Sequence, residues 1–226
     1  MIRTRWLTAE SKISLRALAA RMRTHAFADE SQDGFLLDRS REDRIEGRYI
    51  EKLTFQETVP DPFGKELVFE RVAYRQVQFT MYREFPQLEL RDAPRGTLSF
   101  MSKLLELCDF NLTSAPFTVD VMRWAEAIGR IFGAAVVIDM MQLSEISVAP
   151  TVTGTMILKS DRDVRDSLRS IVGSRPYTVQ KVRLNWNEPT RAVIIQLSNN
   201  GSAKIDAADA DLLSALRTTL PKPPAG

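Results

Sequence analysis

Apolar and polar residues alternate along much of the first half of the chain, a pattern typical of strands that are buried on one face only. Between Arg44 and Phe55 the apolar side chains fall on one side of the predicted strand and the charged ones on the other. The charged side consists of Arg44, Glu46, Arg48 and Lys52. The mixed charges of this side predict a face turned toward solvent.

The strand pattern continues beyond a strong turn signal at Asp61-Pro62-Phe63-Gly64. Further strands are predicted over residues Leu67–Tyr74 and Val77–Tyr82 and around Leu88 and Leu90. Strands that follow one another through short turns pair antiparallel, so this region is predicted to be an antiparallel meander.

Three segments of the same half have apolar residues at helical spacing. One helix is predicted from Lys12 to His25, capped by Ser11. Two more are predicted over Phe100–Cys108 and Val121–Phe132, and a buried strand follows at Ala134–Ile138.

The second half contains a compact order of strand, helix, strand, strand and helix over residues 155–220. Its predicted parts are a strand at Met156–Leu158, a helix at Arg162–Val172, strands at Tyr177–Trp186, Ala192–Leu197 and Ala203–Ile205, and a helix at Asp209–Leu220. Residues 2–108 have a looser version of this order, which suggests a degenerate duplication without a repeat at the level of residues.

These elements predict an α+β fold in which antiparallel sheet is covered by amphipathic helices. We expect an N-terminal subdomain over residues 1–148, a linker over 149–154 and a C-terminal βαββα subdomain over 155–220. Ala149-Pro150-Thr151 interrupts the periodicity at the boundary. Residues 221–226 are rich in proline and are predicted to be a disordered tail.

Composition indicates an ordinary globular protein rather than a specialised class. Of the 226 residues 44% are hydrophobic and 27% are charged, which is enough to form a core. The net charge of +2 gives no overall attraction to nucleic acid or to an anionic membrane. A single cysteine excludes an intrachain disulfide, and the longest aliphatic run is too short to span a bilayer. These features favour a cytoplasmic location without membrane association.

A search for catalytic chemistry finds no recognisable constellation. Because the chain has one histidine, His25, and one cysteine, Cys108, it cannot assemble a structural zinc site by itself. No glycine-rich phosphate loop and no nucleophile elbow occurs. His25 is expected to interact with the last carbonyls of its helix, and Cys108 is expected to be a buried, unreactive thiol. We therefore predict no catalytic, cofactor or metal residues, although a carboxylate site assembled across the fold stays open.

Local basic stripes are the strongest binding signal in the sequence. Between Lys159 and Arg191 there are eight basic residues and four acidic ones. The predicted helix and strand of this region place cations and one aromatic side chain near each other, which suits phosphates and a stacked base. The candidate nucleic-acid-binding residues are Arg162, Arg165, Arg169, Tyr177, Lys181 and Arg183. Asp163 and Asp166 lie among the arginines, and such interleaving is equally typical of a solvated helix face.

Three functions of different class follow. The first is a non-catalytic adaptor or subunit of a multi-protein assembly, which binds protein partners or itself through a strand edge within Leu67–Tyr82. The alternative is a nucleic-acid-binding module that uses the six residues above. The third, and weakest, is an enzyme based on carboxylates.

Overall fold

The computed structural model describes residues 1–60, 62–132, 136–188, 191–206 and 210–222, with side chains except those of 187, 188, 191 and 192. Its described part contains eleven strands and five helices, which confirms an α+β protein dominated by antiparallel sheet. The strands are β1 (Ile2–Ser11), β2 (Asp33–Ser40), β3 (Arg44–Pro60), β4 (Glu66–Tyr82), β5 (Leu88–Arg91), β6 (Leu112–Ala115), β7 (Val137–Ala149), β8 (Val152–Lys159), β9 (Thr178–Glu188), β10 (Arg191–Ser198) and β11 (Ser202–Ile205). The helices are α1 (Leu15–Thr24), α2 (Leu98–Leu107), α3 (Val121–Phe132), α4 (Arg165–Val172) and α5 (Ala210–Thr218).

The chain divides into two compact units. Unit 1 comprises Met1–Thr8 and Ala115–Gly226, and unit 2 comprises Ala9–Ser114. Strand β1 therefore contributes residues to both units.

In unit 1 the strands follow the order β1-β11-β10-β9-β7-β8, and neighbouring strands in this order pair antiparallel. Alternate residues of the central strands are buried, as Val182 and Leu184 of β9 show. These residues face α3, which contacts β9 and β10. Trp124 of α3 is fully buried and donates its indole N–H to the carbonyl oxygen of Leu216 at 3.1 Å. The core of unit 1 thus lies between one face of this sheet and α3.

In unit 2 the strands β2, β3, β4 and β5 lie side by side in chain order and pair antiparallel. Its core is built around four aromatic rings from three strands and α2. The rings of Phe35, Tyr49, Phe79 and Phe100 lie with centroids 5.2–6.5 Å apart in the pairs that contact. Tilted and edge-to-face contacts of this kind stabilise a core beyond the burial of their area.

Several elements differ from the sequence-based expectation at their ends. Helix α1 begins at Leu15, and Ser14 rather than Ser11 is its N-cap, because the Ser14 side chain accepts a hydrogen bond from the backbone N–H of Ala17. The predicted strands Leu67–Tyr74 and Val77–Tyr82 form one strand, β4. No bounds were predicted for strands β1, β2 and β6, although Arg3 and Arg5 of β1 alternate with Ile2, Thr4 and Trp6.

The predicted linker over residues 149–154 lies in the hairpin of β7 and β8, inside unit 1. Met140 to Ala149 of β7 pair with Val152 to Lys159 of β8, with two irregularities in register. The division into domains at this point stays a prediction. Residues 61, 133–135, 189–190, 207–209 and 223–226, which include parts of the predicted turn, strand, last helix and tail, lie outside the described residues.

Candidate functional site

A long β-hairpin extends from unit 2 beyond the strands that flank it. Strands β3 and β4 pair over all seventeen positions, from Arg44 with Tyr82 to Pro60 with Glu66. The neighbouring strand β2 pairs with β3 only as far as Glu51, and β5 pairs with β4 only from Gln78 to Met81. Residues 52–60 and 66–74, which we call the arm, are therefore a two-stranded ribbon about 26 Å long.

The register of the arm collects exposed apolar side chains on one of its faces. The pairs Leu53–Ala73, Phe55–Arg71, Glu57–Phe69 and Val59–Leu67 point to this face, since directly paired residues share a face. Phe55 and Phe69 are 50% and 54% exposed. We call Leu53, Phe55, Val59, Leu67, Phe69 and Ala73 the apolar arm face, on which Glu57 and Arg71 also lie. The opposite face carries Val68, Val72 and Tyr74 among Lys52, Thr54, Gln56, Thr58, Pro60, Glu66 and Glu70.

The outer backbone edge of β4 is also open along the arm. From Glu66 to Val77, no strand other than β3 pairs with β4 in the described residues. Unpaired N–H and C=O groups on such an edge are a template for an added strand. The sequence-based candidate Leu67–Tyr82 therefore contains an edge from Leu67 to Val77, whereas its last residues pair with β5 on that side.

A polar cluster fixes the base of the arm in unit 2. Tyr49 donates a hydrogen bond to Asp33 at 2.6 Å, and Ser99 donates one to Glu51 at 2.9 Å. Arg75 of β4 lies 3.2 Å from the other oxygen of Glu51. Lys103 lies 3.8 Å from Asp33. The cluster lines a shallow cavity of about 320 Å³.

The contacts of this cluster raise the pKa of both Tyr49 and Lys103. Burial, followed by the hydrogen bond to Asp33, raises the pKa of Tyr49, which stays neutral. A hydrogen bond to Glu106 raises the pKa of Lys103, which stays charged. A catalytic lysine or tyrosine needs its pKa moved toward neutrality, the opposite direction. The cluster is therefore a set of mutually satisfied contacts that anchors the arm.

The arginines predicted on the helix of unit 1 lie at and near α4. Arg165, its first residue, is held by Asp163 through two hydrogen bonds of 2.8 Å and 2.6 Å. Arg165 also lines a groove of about 530 Å³ with Leu184 and with Gly129 of α3. Arg162, in the loop before α4, and Arg169, within α4, are exposed. The structure thus places Arg165 on the side of the sheet that faces α3.

The predicted strand residues lie on the other side of the same sheet. In β9, Lys181 and Arg183 alternate with buried Val182 and Leu184, so their side chains leave the face that contacts α3. Arg183 is held by Asp139 at 2.7 Å. Tyr177 precedes β9 and is 39% exposed. The six candidate residues are therefore not brought together: Arg165 of the helix group and the strand pair Lys181 and Arg183 face opposite sides of β9.

Four cations that the sequence analysis did not single out as site residues share the face of Lys181 and Arg183. They are Arg3, Arg5, Lys159 and Lys204. They come from three strands that are far apart in the chain, and only the pairing register brings them together. The signal available in the sequence was their alternation with apolar residues within each strand, such as Lys204 between Ala203 and Ile205.

The surroundings of His25 and Cys108 agree with those predicted from the sequence. The Nδ1 atom of His25 lies 3.2 Å from the carbonyl oxygen of Arg21 in the last turn of α1. Cys108 is fully buried, and burial raises the pKa of its thiol, which keeps it protonated. Within the described residues no three His, Cys, Asp or Glu side chains form a group able to hold a metal ion.

No protein-family model matches this chain, and no curated protein matches it significantly. Among the helices of the described residues, none has the length and apolar character needed to cross a membrane.

Proposed function

We propose that this protein is a non-catalytic adaptor or subunit of a multi-protein assembly and that the arm is its docking element. The observation that carries the proposal is the apolar arm face, because exposed apolar side chains gathered on one face of a protein mark an interaction site. A two-stranded ribbon is marginal in water when nothing covers it. A partner that covers Phe55, Val59, Leu67 and Phe69 removes this surface from water.

The open edge of β4 supports the same proposal in a second way. A partner strand that adds to residues 66–77 gains backbone hydrogen bonds, and the apolar arm face then supplies the side-chain contacts that select the partner. The partner is a protein or a second copy of this chain. The single, buried thiol of Cys108 is compatible with the reducing cytoplasm, where we expect the assembly to form. In the arrangement we favour, the helices cover one face of each unit and leave the arm exposed.

Site-specific photocrosslinking in the native cells tests this proposal. With a benzophenone amino acid at Phe69, we expect one discrete adduct that disappears when Val59→Glu is added to the same face. The matched control is Val68→Glu, since Val68 lies on the opposite face of the arm and is 61% exposed. Val68→Glu should leave the adduct unchanged. Purified chain alone reports self-association as an adduct of twice the mass.

A benzophenone at Tyr177 is the control for position, because this residue is exposed and belongs to unit 1, whereas the arm belongs to unit 2. Equal adducts from Tyr177 and Phe69, or an adduct that Val59→Glu leaves intact, would count against docking through the arm. No adduct from a folded, expressed chain would have the same meaning.

The nucleic-acid-binding module predicted from the sequence needs six residues to act together: Arg162, Arg165, Arg169, Tyr177, Lys181 and Arg183. This alternative is weakened because Arg165 and the pair Lys181 and Arg183 face opposite sides of β9. The carboxylate enzyme has least support, because the polar cluster at the base of the arm is internally satisfied.

A further inference from the structure

One face of the sheet in unit 1 carries an uninterrupted row of paired positions across six strands. Arg3 of β1 pairs with Lys204 of β11, which also lies opposite Gln196 of β10. Gln196 pairs with Arg183 of β9. Met140 of β7 then lies opposite both Arg183 and Lys159 of β8. Since directly paired residues point to the same side of a sheet, the four cations of this row share one face.

A second row runs parallel to the first, two residues further along each strand. Arg5 pairs with Ser202, Ser202 with Ser198, Ser198 with Lys181, and Lys181 with Gln142. We call the six cations of the two rows, Arg3, Arg5, Lys159, Lys181, Arg183 and Lys204, the basic sheet face.

The opposite sides of the same strands are buried, which fixes the direction of the basic residues. Thr4, Ala203, Leu197, Val182 and Met141 are each 2% exposed or less. They alternate with the basic and polar positions along their strands. The core thus takes one side of the sheet, and the cations lie on the side turned away from it.

The charged residues within the two rows are all cations. Arg183 is held by Asp139, which sits in an irregularity of β7 between Ile138 and Met140. Lys159, Lys181 and Lys204 make no ion pair with any residue that the structure describes. In unit 2, the side of β3 and β5 that carries Arg44 and Arg91 is different, because each of these arginines is paired with a carboxylate. There Arg44 is paired with Glu46 at 2.9 Å, and Arg91 with Glu89 at the same distance.

The dimensions of the basic sheet face suit an extended polyanion. Arg3 and Lys159 are separated by five strand intervals of about 4.8 Å, or about 24 Å, and the two rows lie about 7 Å apart. A duplex presents about seven phosphates per strand over such a length. Amides and hydroxyls lie between the cations, and such groups also donate hydrogen bonds to phosphate oxygens.

The chemistry of the face selects among nucleic acids. Proteins that bind single strands add aromatic platforms on which bases stack. Neither described row contains an aromatic residue. Contacts from lysine, arginine, amides and hydroxyls are those of backbone binding to a duplex, which positions a protein without reading its sequence.

We propose that the basic sheet face of unit 1 binds the sugar–phosphate backbone of a nucleic-acid duplex without sequence preference. This site is separate from the arm and does not depend on the docking function assigned to the arm. It also differs from the predicted cluster at α4, from which it takes only Lys181 and Arg183.

Fluorescence anisotropy tests the proposal by measuring how tightly the full chain binds a labelled 24-base-pair DNA duplex. The affinity is measured at KCl concentrations between 50 and 200 mM. Each neutralised phosphate contributes about −0.9 to the slope of log K against log salt concentration. The triple variant Arg5→Gln, Lys159→Gln, Lys204→Gln removes three exposed cations. We expect its slope to be shallower by about 2.7 and its affinity at 100 mM KCl to fall at least about tenfold.

The matched control is Arg123→Gln, Arg130→Gln, Arg169→Gln, which removes three exposed cations from α3 and α4. It lowers the net charge equally and should change the affinity by less than about twofold. A thermal midpoint equal to that of the wild type shows that each variant is folded. If the triple variant does not fold, the single variant Lys204→Glu is used for the same measurement. A control that loses as much affinity as the face variant would overturn the proposal. So would tighter binding of the single strand of the same sequence, or no measurable binding of the duplex.

Discussion

At the scale of single residues, Gly201 in the turn between β10 and β11 is constrained by its backbone conformation and by its surroundings. Its φ of +65° lies in the left-handed region, and an added Cβ would approach Phe117 to 2.8 Å. Backbone conformation and space therefore both require glycine here. Gly173, at the end of α4, has a φ of +68°, but nothing lies within 4 Å of its Cβ position. Substitution at Gly173 therefore introduces backbone strain alone, whereas substitution at Gly201 introduces both strain and steric overlap.

We predict that Gly201→Ala lowers the free energy of unfolding by about 2–4 kcal/mol and Gly173→Ala by only about 1 kcal/mol. Urea denaturation followed by circular dichroism measures both. Equal losses would mean that the ring of Phe117 moves aside at little cost.

Asp163 is the residue whose ionisation contributes most clearly to pH-dependent stability. Burial alone would raise its pKa, but hydrogen bonds from Arg165 and from the backbone N–H of Ile138 outweigh burial, so that the pKa lies below its ordinary value. Because the folded pKa is lowered, the stabilisation is present above the ordinary aspartate pKa of about 3.9 and is lost as the pH falls through the folded pKa.

The variant Asp163→Asn should therefore be less stable than the wild type at pH 7, by about 1–3 kcal/mol, and the difference should shrink below about pH 4. Free energies of unfolding from urea denaturation at pH 7, 5 and 3 give the comparison. Asp166→Asn, on the exposed surface of α4, is the control and should show no such convergence. A constant difference between wild type and Asp163→Asn at all three pH values would contradict this account.

At the scale of elements, the arm is an extension of unit 2 rather than part of its core. Its residues from Thr54 to Pro60 and from Glu66 to Val72 are exposed on both faces, whereas the same two strands are buried at Tyr49, Val77 and Phe79. Burial of apolar area is the main stabilising contribution, so the arm contributes little to the stability of unit 2.

Replacement of residues 55–71 by Asn-Gly tests this separation. Thr54 and Val72 are directly paired, and Asn-Gly is the preferred two-residue turn between paired strands. We expect the shortened chain to fold, with a thermal midpoint within about 4 °C of the full chain, which corresponds to about 1 kcal/mol at this size. Loss of cooperative unfolding would show instead that the arm is required for the fold.

The sequence predicted the type of most elements and missed how they are arranged. Alternation identified β3 from Arg44 onward because Ile45 and Tyr49 are buried on one face. The same alternation held for Leu53 and Phe55, yet both lie in the arm, since periodicity reports which residues share a face and not whether another element covers that face. Lys181 and Arg183 were placed correctly on one face of their strand. Their neighbours Arg3, Lys159 and Lys204 were not found as a group, because register between distant strands is a tertiary property.

At the scale of the whole molecule, the two surfaces have different chemistry and lie on different units. The arm of unit 2 offers apolar side chains and an open strand edge, which suit a protein. The two rows of the basic sheet face in unit 1 offer cations among amides and hydroxyls, which suit phosphates. A subunit with both would bring a protein partner and a nucleic-acid duplex into one assembly, and each surface can be altered without the other.

Docking through the arm can be measured by co-purification from the native cells, with the tagged full chain compared with the chain in which Asn-Gly replaces residues 55–71. With nuclease present and at low salt, we expect a stoichiometric protein partner with the full chain and none with the shortened, folded chain. The same partner recovered with both chains would contradict docking through the arm, and so would the absence of any partner from the full chain.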